Sequence, residues 1–257
     1  MSKQSDRFQT ASDRYAQFRP RYPDSLVRRV AGRIGAAPVN STLPVLDVGS
    51  GTGIFTRQLA AGLPQGMPII GIEPSFRMRE QAMMQPASPS VSYRDGNAEH
   101  LPVENGGARG VVAATAAHWF DRPAFYREAA RALPSGGILA IVEYVRDEQS
   151  PVACAVIDFL ARHGEERAYS RPDYTAELGA LAGFRQLEEV REPVTFHLTL
   201  PEFAGLALSS SHARKIVEDM GEAEATVRLQ AIGSRLSDND GKVPYGYVFQ
   251  IFMTQRA

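Results

Sequence analysis

Three glycines at alternate positions, in Val45-Leu-Asp-Val-Gly-Ser-Gly-Thr-Gly53, give the strongest chemical signal in the chain. They fall where a short apolar run passes into a helical pattern. Glycine there lets the backbone take positive φ and approach a ligand closely, and the first N–H groups of the helix have no partner within it. A dinucleotide loop, G-x-G-x-x-G, would place its third glycine at position 54, which is Ile54. No Lys-Ser or Lys-Thr pair follows, so this is not a triphosphate loop either. Asp47 stands two residues ahead of the first glycine, where its carboxylate can order the loop by accepting backbone N–H bonds. Farther on, His118-Trp119-Phe120 follows another apolar run. An imidazole can take up a proton near neutral pH, which makes His118 the candidate catalytic residue. The nearest carboxylate in sequence, Asp121, reads as the cap of the helix that begins there. With no carboxylate beside it to hold its tautomer, His118 is expected to orient Trp119 or wall a pocket rather than move a proton.

These residues need a frame. Pro44 to Val48, Pro68 to Ile72, Val91 to Arg94, Gly110 to Thr115 and Gly137 to Val145 are short runs without polar alternation, the last apolar until Glu143. Helical patterns separate them: a face of Leu26, Val27, Val30 and Ile34, then Gly53 to Ala61, then Ser75 to Gln85 capped by Ser75. The next runs from Asp121 to about Leu133, with Pro123 in its first turn. Such alternation predicts an α/β fold with a parallel sheet covered on both faces. In the last third, Pro151 to His163 and Tyr174 to Leu181 read as helices, and Phe184 to Leu198 as a strand interrupted by Pro193. Thr199 to Leu236 reads as mostly helical with breaks at Gly221 and Gly233, and Tyr245 to Thr254 as a final strand.

Composition narrows the class. The chain has 28 basic and 29 acidic residues in 257, a formal charge of −1, so nothing attracts it generally to nucleic acid or an anionic membrane. With 44% hydrophobic and 22% charged residues, bulk disorder is excluded. The single cysteine, Cys154, rules out an intrachain disulfide and a Cys-rich metal site, and no metal is expected. Met1 to Thr10 lacks the apolar core of a signal peptide, and no run is long enough to span a bilayer. The expectation is a cytoplasmic protein without membrane or nucleic-acid partners.

The glycine nonapeptide resembles the first motif of class I S-adenosylmethionine-dependent methyltransferases. The resemblance continues through Ile70-Gly-Ile-Glu-Pro-Ser-Phe-Arg-Met78, Gly96-Asn-Ala-Glu-His-Leu-Pro102, His118-Trp-Phe-Asp121 and Leu133-Pro-Ser-Gly-Gly-Ile138. Together these cover about residues 40–145 in the family's order. The subgroup resembled is the small-molecule, trans-aconitate-like methyltransferases, whose N-terminal segment reads much like Tyr15 to Pro23. The resemblance implies a Rossmann-like, seven-stranded, mostly parallel sheet with an antiparallel last strand. It implies one methyltransferase domain over residues 1–257: an N-terminal helical lid (1–43), a cofactor-binding core (44–145), and cap insertions at about 146–172 and 199–240 that define the acceptor pocket.

The implied cofactor is S-adenosyl-L-methionine, and the implied partner a small-molecule methyl acceptor taking the methyl group on oxygen or nitrogen. Gly49, Ser50, Gly51, Thr52 and Gly53 would cradle the cofactor, with Asp47 reaching its ammonium through water. Glu73, followed by Pro74, would accept both ribose hydroxyls at the sheet edge where nucleosides sit. Met78 and Phe76 could pack on the adenine or belong to the core. Asn97 departs from the family's usual aspartate but can still accept from the adenine amino group, and the Asn97 or Ala98 backbone can read the purine edge. Ala114 ends the fourth strand beside the same site, and Tyr15 and Arg19 of the lid would cover the cofactor. Tyr22, His118, Trp119, Tyr144, Ser210 and Tyr247 are the candidate acceptor-binding residues. The rival readings are a nucleic-acid methyltransferase, disfavoured because Ala114 to Phe120 lacks the Asp/Asn-Pro-Pro-aromatic loop, and a non-catalytic cofactor-binding protein.

Overall fold

Runs of Val, Ile and Leu without polar alternation suit strands buried on both faces, and four of the five expected runs form inner strands of one sheet; the fifth, Val91–Arg94, corrects that expectation, alternating between half-buried and exposed at the sheet's edge. The computed structural model describes residues 21–164, 172–210 and 213–257. In chain order these form α1 (Asp24–Gly35), β1 (Val45–Val48), α2 (Ile54–Gly62), β2 (Ile69–Ile72), α3 (Phe76–Met84), β3 (Val91–Arg94) and β4 (Gly110–Ala114). A 3₁₀ turn (Ala117–Trp119), α4 (Arg122–Ala132), β5 (Ile138–Arg146), α5 (Pro151–His163), α6 (Tyr174–Gly179) and β6 (Phe184–Leu198) follow. The chain closes with α7 (Leu200–Leu208), α8 (Arg214–Met220), α9 (Glu222–Arg235) and β7 (Val243–Arg256).

The sheet is 7-stranded, in the order β3-β2-β1-β4-β5-β7-β6. The pairs from β3 to β5 are parallel. The Gly136 N–H donates to the Arg256 carbonyl and the Arg256 N–H to that of Gly137, so the end of β7 meets the start of β5 and β7 runs antiparallel. The Rossmann-like, mostly parallel class is as the sequence led one to expect. Among the described residues no helix is long and apolar enough to cross a membrane.

The described chain divides into two compact units. One holds residues 21–144, 172–192 and 249–257. Its core gathers Leu46, Val48, Ile72, Val111, Leu139 and Ile141 of the strands with Phe125 and Ala129 of α4. The predicted face of α1 is its buried face, and Ile34 packs over Gly110 of β4. Arg109, itself buried, donates to the carbonyls of Ile34, Gly35, Ala37 and Val39, satisfying the end of α1 and the turn beyond it. Ser75 and Asp121 cap α3 and α4 as their types demand, accepting from the N–H groups of Met78 and Ala124.

The other unit holds residues 145–164, 193–210 and 213–248. Within it Phe203 of α7 meets the Tyr245 ring edge-on at 5.3 Å. Gly221, at φ +82°, separates α8 from α9. Gly233, expected to break the helix, lies inside α9. A Cβ there would come within 2.9 Å of the Phe203 ring and 3.0 Å of Leu200, so close helix packing, not a turn, explains the glycine. Pro193, expected to interrupt its strand, sits in an unbroken β6 of 15 residues. β6 is the last strand of the sheet, and an edge strand tolerates a missing N–H.

Candidate active site

The parallel register sets Val48 beside Ile72, Asp47 beside Val112, and Ala114 beside Val142. The C-terminal ends of β2, β1, β4 and β5 therefore share one edge. Along it stand Glu73, the glycine loop, the Thr115–Trp119 turn and Glu143. At about 4.8 Å per strand, the outer two are roughly 14 Å apart.

Gly49, Gly51 and Gly53 all take positive φ. A Cβ on Gly49 would lie 2.6 Å from the Ala116 Cβ, and one on Gly53 would run into the Tyr93 hydroxyl and Arg57. Among the described residues, the atom nearest a Cβ on Gly51 is the Met78 sulfur, 4.0 Å away. The first and third glycines thus accommodate the protein, and the second leaves a space that no other described residue fills.

Glu73 is buried and turned toward this loop. Its Oε2 accepts the Gly51 N–H at 2.9 Å and its Oε1 the Ser75 N–H at 2.9 Å. Each oxygen keeps further acceptor capacity. Arg79 donates to the Glu73 carbonyl and pairs with Asp95. Asp47 corrects an expectation, because its carboxylate does not order the loop through backbone N–H groups. Those of Gly49 and Ser50 go to the Ile72 carbonyl, that of Gly53 to the Ser50 carbonyl, and that of Gly51 to Glu73. The Asp47 partner is instead the Thr56 hydroxyl of α2. Burial, opposed by that hydrogen bond and reinforced by the Glu73 charge, pushes the Asp47 carboxyl up to about 7. Asp47 Oδ1, Ser50 Oγ and Thr52 Oγ1 are buried without a hydrogen-bond partner among the described residues.

Of the remaining expected cofactor residues, Met78 is half-buried beside Gly51, Phe76 and Pro74 are exposed, Asn97 is exposed in a bridge to His100, Ala98 is buried, and Ala114 is half-buried at the end of β4. Tyr15 and Arg19 lie outside the described residues, as does most of the expected lid.

His118 lies on the 3₁₀ turn after β4, and Ala116 of the same loop packs against Gly49. Its Nδ1 is 3.2 Å from Glu143 Oε1, and the Tyr174 hydroxyl donates to the same oxygen at 3.3 Å. The premise that no carboxylate attends His118 is thereby overturned. Glu143 is 25 residues away in sequence but one strand away in space, because Ala114 and Val142 are in register. A signal was present: Glu143 is the carboxylate that ends an apolar run. Tyr174 carried none.

Tyr22 is buried, with its backbone N–H and carbonyl clamped by the Gln58 amide. Its ring meets Phe55 at 4.8 Å and Tyr144 at 6.0 Å, and its hydroxyl lies 2.8 Å from Thr115 Oγ1. Thr115 has φ +52°, a strained region for a β-branched residue. The structure thus brings Tyr22, Tyr144, His118 and Trp119 into one unit, Trp119 being 64% exposed and 5.1 Å from the His118 ring. Tyr247 and Ser210 belong to the other unit, where Tyr247 packs against Tyr245 and Phe196.

A sheet of this strand order, with a glycine loop after its first strand and a carboxylate after its second, defines the class I S-adenosylmethionine-dependent methyltransferases. Residues 46–141 match the family model described as a methyltransferase domain. The chain is 30% identical over 205 residues to the O-methyltransferase cnsE of Penicillium expansum, a match covering 76% of this chain and 71% of that protein. It is 27% identical over 215 residues to an uncharacterised methyltransferase-like protein of Schizosaccharomyces pombe, covering 84% and 81% respectively. With an uncharacterised methyltransferase of Mycobacterium tuberculosis it shares 30% identity over 162 residues, 62% of this chain and 60% of that one. Among solved structures it is similar to one described as a type II methyltransferase from Anaeromyxobacter dehalogenans, with a TM-score of 0.64 and 23% identity over 93% of this chain and 98% of that one. The chain belongs to the S-adenosylmethionine-dependent methyltransferases, and S-adenosylmethionine is its cofactor.

Proposed function

We propose that the protein transfers the methyl group to an oxygen or nitrogen of a small-molecule metabolite, and that the cofactor lies along the sheet edge between Glu73 and His118. The observation that carries the location is the space over Gly51, where among the described residues a Cβ would meet only the Met78 sulfur, beside the buried Glu73 carboxylate that accepts the Gly51 N–H. The loop around it also carries Asp47 Oδ1, Ser50 Oγ and Thr52 Oγ1, buried without a hydrogen-bond partner among the described residues, where buried polar atoms are ordinarily satisfied. The site therefore fits the cofactor. Glu73 would accept the ribose hydroxyls on its free lone pairs, Met78, Asn97 and Ala98 would border the adenine, and Tyr15 and Arg19 would cover it. When bound, S-adenosylmethionine supplies a methyl group on a sulfonium that leaves as a neutral thioether. The chain's own part is to hold the acceptor in line and exclude water, and orientation of this kind lowers a barrier by about 7–11 kcal/mol.

Two observations favour a small acceptor. The net charge of −1 gives no general electrostatic attraction to nucleic acid. The turn after β4 lacks the Pro-Pro-aromatic sequence. The fungal relative's name, an O-methyltransferase, agrees with an oxygen target. Incubating the protein with methyl-labelled S-adenosylmethionine and a cell lysate tests this. Label in the low-mass fraction is expected, and label only in precipitated nucleic acid or protein would refute the small-molecule reading.

A further inference from the structure

We propose that the cleft between α4, α6 and the start of β6 is a second binding site, and that it takes a small organic anion, an apolar body carrying a carboxylate. The cleft encloses about 510 Å³, within the range of small-molecule sites. All of its walls belong to the unit that carries the glycine loop.

The helix pattern builds one wall. α4 buries Phe125, Ala129 and Ala132 against the sheet. Residues four apart share a helix face, so Arg122, Tyr126 and Ala130 run along the cleft, with Pro123 and Arg127 beside them. Opposite, Leu181 and Phe184 pack against the core while lining the cleft. The Arg256 guanidinium lies over the Phe184 ring at 5.6 Å and holds that wall in place.

The charges fix the kind of ligand. Arg122 Nε donates to both oxygens of Glu177, at 3.0 and 2.9 Å, and the Tyr126 hydroxyl donates to Oε2 at 2.7 Å. Burial and this carboxylate push the Tyr126 hydroxyl up, so it stays a donor. Glu177 is therefore matched by Arg122. The terminal nitrogens of Arg122 donate to no described residue, and Arg127 makes no hydrogen bond or ion pair with one. A guanidinium presents parallel N–H groups that suit a carboxylate. A cation would meet the unmatched Arg127, and a bare inorganic anion would leave Pro123, Leu181 and Phe184 uncovered. An arene carboxylate satisfies both, its ring on the apolar walls and its charge on the arginines.

Naphthoate, titrated into isotope-labelled protein, is the probe. Backbone NMR signals of residues 122–130 and 177–184 are expected to shift saturably, with S-adenosylmethionine present or absent. Naphthalenemethanol, the same body without the charge, should bind at least about tenfold more weakly, as the loss of a charge-assisted bond implies. Arg127→Glu should weaken naphthoate to a similar degree and, being an exposed change, leave the melting temperature unaltered. Ala182→Trp, on the exposed rim, should block the cleft without touching the core. Equal binding of the two probes, naphthoate binding that survives Arg127→Glu, or the absence of saturable shifts would overturn the proposal. So would shifts confined to the glycine loop and the Thr115–Trp119 turn, which would place the probe in the methyl-transfer site. A peptide with an apolar, free C-terminus that binds the cleft where naphthoate does not would assign it to a protein partner and overturn the small-ligand reading.

Discussion

The carboxylate of Glu73 holds the backbone N–H of Gly51, 22 residues before it, at 2.9 Å, while its second oxygen holds the N–H of Ser75. One side chain at the end of β2 thus fixes both the glycine loop and the start of α3. Glu73→Ala should lower the melting temperature as well as weaken S-adenosylmethionine binding. Losing charge-assisted bonds costs about 1.5–3 kcal/mol, or roughly ten- to a hundred-fold in Kd by calorimetry. A change under twofold would show that the carboxylate serves the loop alone.

The glycines should separate by what each faces. Gly49→Ala puts a Cβ 2.6 Å from that of Ala116 and should destabilise the fold. At Gly51 an added Cβ would meet, among the described residues beyond its chain neighbours, no atom closer than the Met78 sulfur at 4.0 Å. Gly51→Val should remain folded, at a conformational cost of about 1–2 kcal/mol, and abolish cofactor binding. Melting curves and calorimetry on the two variants check the pair, and unchanged affinity in folded Gly51→Val would remove the cofactor from this loop.

Asp47 gives a pH dependence opposite to that of an ordinary surface aspartate. Its carboxyl titrates near 7 in the folded protein, against 3.8 ordinarily. Between those values the folded state keeps a proton that the unfolded chain releases, so stability falls as pH rises from about 4 to 7. Asp47→Asn removes the charge and keeps an acceptor for Thr56. Its advantage over wild type should grow across that window, by at most a few kcal/mol, in urea melts at pH 5 and pH 8. An advantage equal at both pH values would show that the aspartate ionises without penalty.

Arg109→Met should destabilise by about 3 kcal/mol, since it strips donors from four carbonyls at the end of α1. Hydrogen exchange of the α1 amides should quicken alongside the drop in denaturant midpoint. A loss under about 1 kcal/mol would mean that water replaces the guanidinium.

What could be read from the sequence was local. Ser75 and Asp121 declare their caps by residue type, the inner strands by unbroken apolar runs, and the glycine loop by its spacing. What could not be read was decided by distant neighbours. Glu143 reaches His118 only through the β4–β5 register, Tyr174 joins them from a helix beyond residue 171, and Asp47 turns to Thr56 because the loop N–H groups are already taken. Gly233 reads as a break until Phe203 is packed against it, and Pro193 until β6 proves to be an edge.

That edge bears on how the protein behaves when crowded. A strand of 15 residues that pairs on one side only among the described residues is a template onto which a second chain could extend the sheet. At its centre Pro193 offers no N–H to a newcomer, and the exposed Glu189, Arg191 and His197 flank it with side chains costly to desolvate. An added strand would lose its ladder halfway along. Replacing Pro193 with a β-branched apolar residue would restore the missing N–H and weaken that safeguard against edge-to-edge association.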